Sequence, residues 1–174
     1  MSIEFIRLDD RLIHGQVVAG WTRLKGVNTI LVVDDPTAGN KMQQQLMKMA
    51  TPPGVTPVFL TIDQAVEKLN AGNYDKKKCM LLFKNVYTLR DLVAKGLDIK
   101  DVNFGNMRGK DSKIQLFNHV FATEEEVQIM KELSDKGVKM VAQAMPSLRF
   151  RLWWSVGLAR DTSSPARGVV VVPW

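Results

Sequence analysis

The stretch Ile3-Glu-Phe-Ile-Arg-Leu-Asp-Asp-Arg-Leu-Ile-His-Gly-Gln-Val-Val18 changes its period halfway along. Residues 3–8 are an apolar run that reads as a β-strand. From residue 17 onward Val17, Val18, Trp21 and Leu24 share one face of a helix. A strand running straight into an amphipathic helix is the opening of a βαβ unit, and the rest of the chain repeats that rhythm.

Further apolar runs at 29–33, 57–60, 80–83 and 102–104 read as strands, with helical patterns between them. Met42, Leu46 and Met49 share a helical face that is expected to be a core face; Ala65, Val66 and Leu69 form another, and Leu89, Leu92 and Val93 a third. Thr61 with Gln64, and Thr123 with Glu126, have capping-box spacing, in which a hydroxyl accepts from the third helical amide and the longer side chain reaches back. Near-continuous apolar strands alternating with amphipathic helices predict an open, mainly parallel α/β sheet with helices on both faces. After Gly109 the segments 113–117 and 119–122 predict a short antiparallel excursion near the C-terminus. A helix over 124–136 and a strand over 139–144 follow. His119, inside that hairpin with no acid or cysteine at ligand spacing, reads as structural.

Such sheets bind ligands beyond the carboxyl ends of their strands, which singles out the loops starting at Asp9, Asp34, Lys84 and Gly105. The first carries two aspartates, Asp9 and Asp10, then Arg11 and His14. A helix start exposes N–H groups and a positive dipole end, and Gly15 permits close backbone approach; together they suit a phosphate. Arg11 adds a permanent cation whose fork matches phosphate oxygens. A neutral imidazole at His14 has a lone pair with which to accept the phosphoryl group itself, and a carboxylate of Asp9 or Asp10 is expected to hold the other ring N–H. The carrier so built needs no cofactor and no metal. Without the resemblance, a surface ion-pair turn explains these residues about as well.

Leu8-Asp-Asp-Arg-Leu-Ile-His-Gly-Gln-Val17 resembles the signature of the mannose/fructose/sorbose family of phosphotransferase system EIIB subunits, with Leu8 where the family usually has Ile. Ile30-Leu-Val-Val-Asp-Asp35, Pro52-Pro-Gly-Val55, Leu82-Phe-Lys-Asn85 and Asn103-Phe-Gly-Asn-Met107 are similar to family segments in order and spacing, so that the resemblance covers about residues 1–145. It implies a sugar phosphotransferase whose His14 is phosphorylated on Nδ1 by the phosphohistidine of an EIIA subunit or domain. The phosphate then passes to sugar at membrane EIIC and EIID subunits. Arg11 and Asp10 would join His14 in the chemistry, and Arg11, Ile13, Gly15 and Lys84 would bind phosphate. From the family's strand order, Lys84 and Asn85 are expected to face His14, with Arg108 on the rim.

The segment 146–174 departs from the family's usual short amphipathic helix and holds three of the four tryptophans. Its four arginines against one aspartate account for half of the net +6, so the charge is weak support for a nucleic-acid partner, and none is expected. The chain lacks a run near the roughly 18 apolar residues of a membrane span, and its start has no secretory pattern, so a cytoplasmic protein attached peripherally to a permease is expected. Cys79, in a strand-like apolar run, is expected to be an inert buried thiol. The rival reading from another class is a regulatory or anion-binding module that keeps the loop without transferring phosphate.

Overall fold

The computed structural model describes residues 3–147, 151–153 and 169–170. The expected alternation is present: β1 (Ile3–Asp9), α1 (Gly15–Lys25), β2 (Thr29–Val33), α2 (Asp35–Ala38), α3 (Lys41–Ala50), β3 (Thr56–Leu60), α4 (Ile62–Asn70), β4 (Cys79–Phe83), α5 (Val86–Ala94) and β5 (Asp101–Asn106). The hairpin β6 (Ile114–Phe117) and β7 (Val120–Ala122) follows, then α6 (Glu124–Asp135) and β8 (Lys139–Ala142). Short strands β9 (Arg151–Trp153) and β10 (Val169–Val170) end the described chain.

The main sheet runs β10-β9-β8-β5-β1-β4-β2-β3. Its six strands from β8 to β3 are parallel, and β9 and β10 add antiparallel edges. Every residue of β2 and of β4 is buried, because helices cover both faces and neither face meets water. Leu31, Val33, Leu81 and Phe83 point into a core shared with α4, α5 and α6. Ile30, Val32, Met80 and Leu82 point into the opposite cluster with Val18 and Trp21 of α1. Cys79 is fully buried, and burial pushes its thiol up from the ordinary value, as expected of an inert cysteine.

Both predicted capping boxes are closed in both directions, at Thr61–Gln64 and Thr123–Glu126. The hairpin is a separate two-stranded sheet hung from the end of β5, where Met107 N–H donates to His119 O (2.9 Å) and Phe121 N–H to Met107 O (2.7 Å). His119 therefore acts there through its backbone.

The expected core face of α3 is wrong. Met42, Leu46 and Met49 are 76%, 62% and 76% exposed, and α3 has no buried residue. Polar bonds set its rotation. Asn40 caps it through Gln43 N–H, and Gln44 Nε2 donates to Thr37 O (3.0 Å) and Ala38 O (2.9 Å). That turns the Gln44 and Met47 side inward, with Met47 against the α1 cluster, and leaves the methionine stripe outside. Leu24, which shares a helical face with Val18 and Trp21, is 61% exposed at the last turn of α1.

Candidate functional site

β1 lies between β4 and β5, so the chain crosses it in passing from one to the other, and the sheet's strand order reverses there. The loops after β1, β4 and β5 therefore meet at one edge. The β1–α1 loop is a tight fold. Leu12 N–H donates to Asp9 O (2.9 Å), Leu12 has φ +55° and Gly15 φ +42°. The left-handed backbone at Leu12 costs about 1–2 kcal/mol for a residue with a Cβ. Leu12 and Ile13 offset it by burying their side chains in the α1 cluster, each contributing about 1.5–3 kcal/mol. The apolar pair is the anchor; before and after it in the loop Arg11 is exposed, and Asp10 and His14 are half-buried.

His14 is the N-cap residue of α1, with extended backbone and no side-chain capping bond. Its Nδ1 lies 3.0 Å from Leu12 O. A carbonyl can only accept, so Nδ1 carries the ring proton in this arrangement. Nε2 is buried without a hydrogen-bond partner among the described residues. The expectation that Asp9 or Asp10 holds the ring N–H is thus corrected: the orienting acceptor is a main-chain carbonyl two residues back.

Both carboxylates are engaged elsewhere. Asp10 accepts from Asn106 Nδ2 (2.7 Å) and from Arg108 N–H (2.9 Å), and its own N–H donates to Asn106 O (3.0 Å), which ties the loop to the end of β5. Asp9, 1% exposed, accepts from Arg7 Nη2 on Oδ2 (2.8 Å) and from Arg11 Nε on Oδ1 (3.2 Å). Arg11 itself is 47% exposed.

A cleft of about 570 Å³ brings Arg11, Lys84 and Arg108 together with Asp10, Asn106 and Glu126. Lys84 and Asn85, expected to face His14, both line this cleft with Arg11 instead, and the Asn85 carboxamide caps α5 through Thr88 N–H (2.9 Å). The Arg108 side chain leans back on the hairpin, donating to Asn118 O (3.3 Å) and lying over Phe121. His14 is outside that lining. A larger groove of about 800 Å³ runs along one face of the sheet, from Ile3, Asp98 and Lys100 past Trp21 to Asn103 and Gln143.

Sequence reasoning missed Arg7. It is 1% exposed, and Nη1 donates to Asn103 Oδ1 and Gln143 O (3.0 Å) while Nη2 donates to Asp9 and to Ala144 O (3.0 Å). Trp21 lies under the guanidinium, 5.3 Å from it. Burial pushes Arg7 down from its ordinary value, and the neighbouring Asp9 opposes that shift. Gly105 is required beside it, since a Cβ there would collide with the Arg7 guanidinium. The available signal was the i, i+2 spacing of Arg7 and Asp9, which sets both on one face of a strand otherwise built for burial.

The model of the family described as "PTS system sorbose subfamily IIB component" matches residues 3–163. The PTS system fructose-specific EIIB component of Bacillus subtilis is 33% identical over 147 residues, 84% of this chain and 90% of that one. The PTS system mannose-specific EIIAB component of Escherichia coli is 35% identical over 140 residues, 80% of this chain, which spans 43% of that longer protein. The crystal structure of the IIBSor domain of the sorbose permease from Klebsiella pneumoniae superposes with a TM-score of 0.80 at 29% identity, covering 86% of this chain and 92% of that one.

Proposed function

The chain belongs to the sorbose subfamily of phosphotransferase system IIB components, and from that premise we propose that His14 is the residue on which it carries the phosphoryl group. Phosphoryl transfer in a sugar phosphotransferase system is the family's activity, and this chain is a phosphotransferase of that kind. The observation that carries the assignment is the loop itself: an imidazole at a helix start, beside an arginine whose Nε is held by a buried carboxylate.

The donor is a phosphohistidine of an EIIA subunit or domain. A lone pair on a neutral His14 nitrogen attacks phosphorus in line, the donor P–N bond breaks, and the donor ring recovers that electron pair. The new P–N bond is on His14, whose remaining ring nitrogen keeps its proton. Arg11, the first amides of α1 at Gly15, and Lys84 across the cleft neutralise the oxygens as charge redistributes. Asp10 keeps the loop against β5. In transfer to sugar at the EIIC and EIID subunits a sugar hydroxyl attacks phosphorus, the His14 P–N bond breaks with its electron pair returning to the ring, and the hydroxyl proton passes to a base or to water; the membrane subunits select the sugar. No helix among the described residues is long and apolar enough to cross a membrane; the chain would work at the cytoplasmic face, held to the permease peripherally.

Attack through Nδ1 requires the ring to leave Leu12 O and its proton to sit on Nε2. A ring turned outward also relieves the unpartnered burial of Nε2. Incubation with phosphorylated EIIA is expected to label wild-type protein on His14 Nδ1, with a bond lost in acid and stable in alkali, and to leave His14→Ala unlabelled. Undiminished label in His14→Ala, mapped to His119 or to a hydroxyl, would sink the assignment.

A further inference from the structure

Asp9 is one carboxylate between two arginines, and the two are used differently. The four terminal N–H groups of Arg7 meet four acceptors: Asn103 Oδ1, Gln143 O, Asp9 Oδ2 and Ala144 O. With all four terminal N–H groups engaged and Gly105 flush against the guanidinium, the Arg7 fork is held in place and is not offered to a ligand. Among the described residues Arg11 commits only its Nε–H and its backbone N–H, both to Asp9 Oδ1. Its terminal nitrogens, the fork that fits phosphate oxygens, remain for a ligand.

We propose that Arg7 and Asp9 form a buried relay that positions Arg11: Arg7 neutralises Asp9, so that Asp9 orients the Arg11 fork without cancelling its charge. The inference rests on the reading of His14 and Arg11 as the phosphoryl site. A lone buried aspartate beside Arg11 would make a self-neutralised pair with little attraction left for a phosphoryl group. With Arg7 present, the three side chains sum to one positive charge, and that charge sits on the member that is 47% exposed, since Arg7 and Asp9 are both 1% exposed. Arg7 is itself braced by three strand ends, β1, β5 through Asn103 in register with it, and the carbonyls just past β8. The precision of Arg11 is therefore inherited from the sheet rather than from its own loop. Arg7 is a positioning residue, not a catalytic one.

The test compares Arg7→Met, Asp9→Asn and the double variant in the full chain, by the initial rate of phosphoryl uptake from phosphorylated EIIA. The guanidinium region of the 15N NMR spectrum is recorded alongside. Arg7→Met is expected to lose more than roughly tenfold and up to about a hundredfold in rate at saturating donor, the ceiling being the loss of the Arg11 contact to the transferring group. In the double variant the carboxamide introduced by Asp9→Asn still accepts from Arg11 Nε but carries no charge. It is expected to recover at least about tenfold of that loss; a brace acting only through stability would give no such rescue. Should Arg7→Met fail to fold, the double variant decides, since it buries no unpaired charge: a rate near wild type supports the relay, and a hundredfold deficit overturns it. Wild-type protein should show a hindered, slowly exchanging Arg11 Nε–H, and a freely exchanging one overturns the relay whatever the variants do. A folded Arg7→Met transferring at the wild-type rate overturns it too. His14→Ala is run in parallel: persistent label there defeats the phosphoryl-site reading itself, whereas His14-dependent label with indifferent relay variants defeats only the relay.

Discussion

Arg11 combines a charge and a shape that substitution can separate. Arg11→Lys keeps the charge but loses the fork and the Nε bond to Asp9, whereas Arg11→Gln loses the charge. Loss of an electrostatic contact to the transferring group costs about 3 kcal/mol, near a hundredfold in rate, in a water-excluded site. Since Arg11 is half-exposed, screening makes that an upper bound. Gln is expected to be severely slow and Lys intermediate when phosphoryl uptake is timed by quench-flow; equal, wild-type rates for both would reduce Arg11 to a surface ion pair. His14 and Arg11 were legible in the chain as an unusual polar density at a strand–helix junction. Arg7 was not, because its partners Asn103 and Gln143 are 96 and 136 residues away. Nor was the berth of the His14 ring, since the Leu12 carbonyl reaches Nδ1 only through a left-handed turn that leucine seldom adopts.

Helix starts were readable and helix rotation was not. The Thr123 hydroxyl accepts from Glu126 N–H (3.2 Å) while Glu126 Oε2 accepts from Thr123 N–H (2.8 Å), a local reciprocal pair that the spacing alone announces. Thr123→Ala is expected to cost about 1 kcal/mol by urea denaturation. Met42→Gln and Met49→Gln, at exposed positions, should each stay within about 0.5 kcal/mol of wild type. A loss of about 2 kcal/mol or more at either methionine, the size of a buried-core truncation, would mean that the stripe is buried after all. Periodicity identified an amphipathic stripe on α3 but could not say that Asn40 and Gln44 would clamp the helix with that stripe outward.

At the scale of the molecule, every group proposed to touch phosphate precedes residue 145, and we propose that the IIB domain ends near there. A chain stopped after Ser147 should still take phosphate on His14 at close to the full rate. It also loses β9, which pairs antiparallel with β8. The freed backbone edge should promote self-association, detectable by gel filtration. Loss of labelling in a truncated protein that is folded and monodisperse would show that the segment completes the site. By itself the sequence determined the alternation of strands and helices, the two capping boxes and the polar loop from Asp9 to Gly15, because period, capping and turn chemistry act between residues a few positions apart. Only the tertiary structure decided that β5 flanks β1 on the side away from β4, that Lys84 shares its cleft with Arg11 rather than with His14, and that Arg7 is the buried brace behind them. Those facts depend on which strand ends meet across the sheet, and one local pattern is compatible with many such pairings until the whole core has packed.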